Sequence, residues 1–148
     1  MPMKLLFSIF ALQILLILSN TIYAQTNYTT IAAGNWSNAS SWDINGVPPS
    51  PLPIGDSIFV IHAIDLDQDQ PVLGVMTVES MGSLSSANKS LKIGKGGYVG
   101  RLYNYGDISI KKLEAKPNPG GGPSILDPAI HNYGTITASG GMSVGRDL

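Results

Sequence analysis

The chain has 148 residues, 17 of them glycine and 10 proline, which suits one turn-rich domain and leaves no room for a second. Its formal net charge is −1 with no run of like charges, so the basic patch that a nucleic-acid partner requires is absent. It has no cysteine, which excludes disulfides, thiolate metal sites, a cysteine nucleophile and a lipoprotein-type lipid anchor.

Residues 1–24 read as a secretory signal peptide. Met1 to Lys4 carries one positive charge, Leu5 to Leu18 is apolar except for Ser8 and Gln13, and Ser19 to Ala24 turns small and polar. Fourteen helical residues span about 21 Å, short of a hydrocarbon core of about 30 Å, so the segment suits export better than a permanent span. Cleavage after Ala24 would start the mature chain at Gln25, with no membrane span and a secreted or cell-surface location.

From Gln25 onward no ten-residue stretch carries a 3.6-residue apolar period, and the pattern predicts an all-β domain. The strongest predicted strand is Ile58 to Leu66. Ile58, Val60, His62, Ile64 and Leu66 share one face, and Phe59, Ile61 and Ala63 make the other apolar, as in a strand covered on both sides. Shorter strands are predicted at Val75 to Glu79, Leu91 to Ile93, Ile108 to Ile110, Thr135 to Ala138 and Met142 to Val144.

Repetition then narrows the architecture. Gly82-Ser83-Leu84-Ser85, Gly106-Asp107-Ile108-Ser109 and Gly134-Thr135-Ile136-Thr137 share one form, and the last two follow Tyr103-Asn104-Tyr105 and His131-Asn132-Tyr133. Leu84, Ile108 and Ile136 stand 24 and 28 residues apart, the size of one coil of a parallel β-helix. The longer interval contains Pro117 to Pro123, which must loop outward. In such a coil the Asn-x-Gly unit turns the chain, the aliphatic residue points inward and the flanking hydroxyls face water. The competing reading is two hairpins with similar turns. The solenoid reading divides the chain into the signal at 1–24, a cap with first strands at 25–74, and coils at 75–148 that look incomplete at the C-terminus.

The order Gly34-Asn35-Trp36-Ser37, Ser41-Trp42, Gly46-Val47-Pro48, Pro53-Ile54-Gly55-Asp56-Ser57-Ile58, Ile64-Asp65-Leu66-Asp67, Val72 to Val78 and Gly82-Ser83-Leu84 resembles the eight-glycine extracellular domain. Five glycines of the pattern stand in this window, and the stretch from Val47 to Pro53 is longer than the family's usual link. The resemblance implies a β-rich module opening a right-handed parallel β-helix, with a role in extracellular binding or in supporting catalysis elsewhere. The Asn-Tyr-Gly coils are similar to the stacked repeats of bacterial adhesins.

Candidate chemistry is sparse. Trp36 and Trp42 would either cover the open end of the first coil or offer flat faces to a sugar, and Tyr105 and Tyr133 are further stacking candidates. Asp65, Asp67 and Asp69 alternate, so on one strand they would share a face and could hold calcium, although Gln70 and Met76 stand where a calcium loop needs glycine and a carboxylate. The bland alternative is a solvated strand end. His62 in the buried strand and His131 before a turn read as structural, and Gly94 to Gly97 lacks the ending of a phosphate loop. Asn27, Asn35, Asn38 and Asn88 begin sequons of the frequency that a serine- and threonine-rich chain produces by chance.

No nucleophile elbow occurs, and Glu79, Asp107, Glu114 and Asp127 lie in unrelated contexts, so no carboxylate pair is singled out. The expectation is therefore a non-catalytic, secreted or surface β-helical module without a cofactor, adhesive or carbohydrate-binding, at the start of a longer surface protein. Its expected partner is an extracellular glycan or another surface component. The alternative is an accessory N-terminal segment of a polysaccharide lyase or glycoside hydrolase whose catalytic groups lie on other coils.

Overall fold

The computed structural model describes residues 24–94, 100–115 and 130–144. The predicted signal segment up to residue 23, Lys95 to Gly97, the proline-rich insert, Asp127 and residues 145–148 lie outside the described residues. In chain order the elements are β1 (Asn27–Thr29), β2 (Gly34–Asn35), one 3-10 turn η1 (Ala39–Ser41), β3 (Ser57–Val60), β4 (Ala63–Asp65), β5 (Gln70–Val72), β6 (Val75–Val78) and β7 (Ser83–Ser85). They continue with β8 (Ser90–Ile93), β9 (Arg101–Asn104), β10 (Asp107–Ile110), β11 (Lys112–Ala115), β12 (Ile130–Asn132), β13 (Thr135–Ala138) and β14 (Met142–Val144).

The strands form three sheets. Sheet I has the order β1-β3-β6-β9-β12, sheet II β2-β4-β7-β10-β13, and sheet III β5-β8-β11-β14. Every ladder between these strands is parallel. Parallel neighbours cannot be joined by a hairpin, so the repeats are coils of a β-solenoid and the hairpin alternative fails. Each coil visits sheets I, II and III in turn, and β3–β5, β6–β8, β9–β11 and β12–β14 make four stacked turns.

The register places Ile64, Leu84, Ile108 and Ile136 in one column. The first three are at most 1% exposed, so the column is the spine of the core. Sheet I supplies a second column, Tyr28, Ile58, Met76, Leu102 and Ile130, and sheet III a third through Leu91, Leu113 and Met142. Burying each large aliphatic side chain contributes about 1.5–3 kcal/mol, which gives the stack its cohesion.

One predicted strand is corrected. Residues 58–66 are two strands, β3 and β4, in different sheets, with a corner at Ile61 and His62. The inward alternation of Ile58, Val60, Ile64 and Leu66 continues around that corner, which is why it reads as one strand. The other face is not covered: Phe59 is half-buried, Ile61 is 38% exposed and Ala63 is exposed. His62 is likewise half-buried, its Nδ1 lying 2.9 Å from the Thr30 carbonyl.

Glycine at the entry to sheet II is dictated by stacking. A Cβ at Gly106 would stand 2.2 Å from the Gly82 carbonyl oxygen, and one at Gly134 2.1 Å from that of Gly106. Beside these glycines, Asn104 and Asn132 are in register. The Asn104 Nδ2 donates to the Asn132 Oδ1 at 2.7 Å and to the Thr135 carbonyl at 3.1 Å. The coil before holds Val78 at this position, which has no donor to offer, and the buried Asn104 Oδ1 has no partner among the described residues.

The N-terminal end is closed. Thr30 pairs antiparallel with Trp42, and the Ile31 and Asp43 amides donate to the Ser41 and Thr29 carbonyls at 2.9 Å, so the outer edge of β1 is occupied. Leu52 bridges Val72 along the edge of β5. Trp36 and Trp42 are 0% and 1% exposed and meet edge to face at 4.9 Å, with the Trp42 indole donating to the Trp36 carbonyl at 2.7 Å. They cover the apolar end of the first coil, the role a solenoid cap must fill.

Candidate functional site

The outward face of sheet II is the most regular surface of the protein. Outward positions are fixed by the inward spine: residues one before and one after each spine residue point to solvent. The column after the spine is Asn35, Asp65, Ser85, Ser109 and Thr137, and the column before it is Ala63, Ser83, Asp107 and Thr135. All are exposed except Ser83, which is half-buried. Short hydroxyl side chains therefore recur at the strand spacing of about 4.8 Å.

A groove of about 300 Å³ runs along the sheet III side of this face, lined by Asp65, Ser85, Ser86, Ser109, Thr137 and Ser139 together with Ala87 and Ile110. Ser86 is fixed in its lining: its Oγ donates to the Leu66 carbonyl at 2.6 Å and accepts from the Lys89 amide at 3.1 Å. Among the described residues the only charged lining residue is Asp65. Uncharged donors and acceptors with one carboxylate suit a neutral, hydroxyl-bearing ligand and disfavour an anionic one.

Tyr105 and Tyr133 lie at the opposite margin of the face, at the corner between sheets I and II. They are 45% and 68% exposed, and their rings stack at 5.1 Å with planes 8° apart. Tyr103 and His131 form a second stack at 4.7 Å on the outside of sheet I. One face of each tyrosine ring is thus turned on its neighbour, leaving the edges, the hydroxyls and the far faces for a ligand.

The other sequence candidates separate. Trp36 and Trp42 do not form a sugar platform, because both rings are buried in the cap. Asp65, Asp67 and Asp69 do not share a strand face, since β4 ends at Asp65. Asp67 accepts from the Ser37 amide at 3.1 Å and from the Ser37 hydroxyl, and Asp69 accepts from the Ser90 amide at 2.8 Å. They tie successive coils together, and no cluster of three metal-ligating side chains occurs among the described residues. Sequence reasoning missed the groove as a unit. The recurring Ser-x-Ser, Asp-x-Ser and Thr-x-Thr triplets at the spine are the signal that would have found it.

No family model, curated protein or solved structure matches the chain.

Proposed function

We propose that this chain is an exported, non-catalytic β-solenoid module of the cell exterior that binds an extended, neutral glycan along the outward face of sheet II. The observation that carries the reading is the groove in which Ser85, Ser109 and Thr137 come from three successive coils. A ligand made of repeating hydroxylated units of similar length meets one such side chain per unit. Asp65 sets the charge preference, and Tyr105 and Tyr133 offer apolar contact at the margin. The leader at 1–24 and the resemblance to extracellular β-helical proteins support the same reading.

The test is an oligosaccharide-binding screen run beside a reducing-sugar release assay on the same protein. A neutral β-linked glucan hexamer should bind without being cleaved, a galacturonate hexamer should bind more weakly, and Ser109→Glu should abolish binding while leaving the β-rich circular dichroism unchanged. Tighter binding of the uronate chain would overturn the ligand class. Sugar release that disappears on replacing one carboxylate would favour the degradative alternative.

A further inference from the structure

The chain leaves sheet I at the same step in every coil, and the first corner residues are Ile61, Glu79, Tyr105 and Tyr133, following the in-register residues Val60, Val78, Asn104 and Asn132. The backbone pins the two tyrosines alike. The Tyr105 amide donates to the Val78 carbonyl at 2.8 Å and the Tyr133 amide to the Asn104 carbonyl at 2.7 Å. The side-chain bond between Asn104 and Asn132 stands just before them, and the close-packed Gly106 and Gly134 stand just after. Their ring centroids are 5.1 Å apart with planes 8° from parallel. That separation is close to the strand spacing of about 4.8 Å, so the second ring is nearly the first moved by one coil, and like atoms face like atoms. Both side chains project away from the stack. Tyr105 stays 45% exposed with a coil on each side of it, and Tyr133 is 68% exposed.

We infer that this pair is an oxidative cross-linking site, at which Tyr105 and Tyr133 join through ring carbons to form dityrosine. The co-reactant is a peroxide used by a haem peroxidase. Each phenol gives up one electron and its hydroxyl proton. The two phenoxyl radicals couple through the carbons next to the C–O carbon, forming one C–C bond, and the proton on each bonded carbon moves to oxygen and restores a phenol. The pair loses two hydrogen atoms in all, which one hydrogen peroxide accepts to become two waters.

Register makes this coupling selective. Two partners already held in contact react as one unit, which favours the bond within a chain over bonds between chains. Glu79 holds the corresponding place on the coil before, and Tyr103 has His131 stacked on it at 4.7 Å instead of a second tyrosine, so one product is defined. The bond ties two successive coils and restrains the unfolded chain as a disulfide does, in a sequence with no cysteine. Nothing in this chemistry depends on a bound glycan.

Treatment of the purified chain with hydrogen peroxide and a haem peroxidase tests the assignment. The product should be a single chain with dityrosine fluorescence, lighter by two hydrogen atoms, and its tryptic digest should join the segment after Arg101 to the one holding Tyr133. Its rate per molecule should not change on dilution, and its urea midpoint should exceed that of the untreated chain. Tyr105→Phe and Tyr133→Phe keep a stacked ring and should each abolish the product, whereas Tyr103→Phe should leave it unchanged. In urea above the unfolding midpoint the yield should drop several-fold. Persulfate with a photo-excited ruthenium complex repeats the reaction with a small oxidant, so that access for a large enzyme does not limit the result. No dityrosine with either oxidant, dityrosine only in species of two chains, its persistence in Tyr105→Phe, or equal yields from folded and unfolded chain would overturn the assignment.

Discussion

Replacing Ile108 probes the spine at its centre. Ile108 is 1% exposed and lies between Leu84 and Ile136, so neither neighbour can collapse into the space it leaves without breaking register. Ile108→Ala should cost about 2–5 kcal/mol from lost transfer energy and the residual cavity. Ile108→Asp adds the desolvation of an unpaired carboxylate, several kcal/mol more, and against a total stability of about 5–15 kcal/mol it should leave the chain unfolded. Asp107→Asn, one residue away and exposed, should stay within about 0.5 kcal/mol of the parent. Ile136→Ala, in the half-buried last coil, should cost about 1 kcal/mol. Urea unfolding followed by the fluorescence of Trp36 and Trp42 reads all four changes. If Asp107→Asn were as damaging as Ile108→Ala, or Ile136→Ala more damaging than Ile108→Ala, the assigned faces and the core gradient would be wrong.

Three further substitutions test the corner between sheets I and II. Gly106→Ala forces a methyl to 2.2 Å from a backbone oxygen and should lower stability by at least about 1–3 kcal/mol in thermal unfolding, because a backbone neighbour cannot swing aside. Asn104→Val should cost no more than about 1 kcal/mol, since it removes two hydrogen bonds together with a buried orphan acceptor. Asn104→Asp should be far worse at pH 7. Burial would push that carboxyl upward from its usual range, so its penalty should shrink as pH falls through the raised value, read as a urea midpoint closer to the parent at pH 4 than at pH 7.

The spine was legible because Leu84, Ile108 and Ile136 each follow glycine and one polar residue, and a fixed phase of glycine and aliphatic residues survives changes in coil length. Its first full member, Ile64, was not. It lies 20 residues before Leu84, and His62 takes the place that Gly82 holds in the next coil. Sheet III was half legible: β8 and β14 were predicted, but β5 contains Pro71 and points Gln70 inward, and β11 carries Lys112 and Glu114 outward, which bond to each other, so neither read as a strand. Alternation tells which side of a strand is inside, but not where the chain turns from one sheet to the next, and residues 58–66 show that limit. The groove was missed for a related reason, because its hydroxyls come from coils far apart in sequence and become neighbours only through register.

The corner that leads from sheet III back to sheet I differs from the other two. It runs from Val72 to Val75, then from Ile93 to Arg101, then from Ala115 to Ile130, while the ladders on either side keep their register. All the variation in coil length beyond a few residues is gathered at this one edge. Because doubling a loop adds only about 0.6 kcal/mol of closure entropy, chain length there is nearly decoupled from the stability of the stack. For a lineage of such proteins, or for anyone grafting a foreign peptide, this edge is where new sequence can be accommodated while the sheet II face on the far side of the core stays as it was.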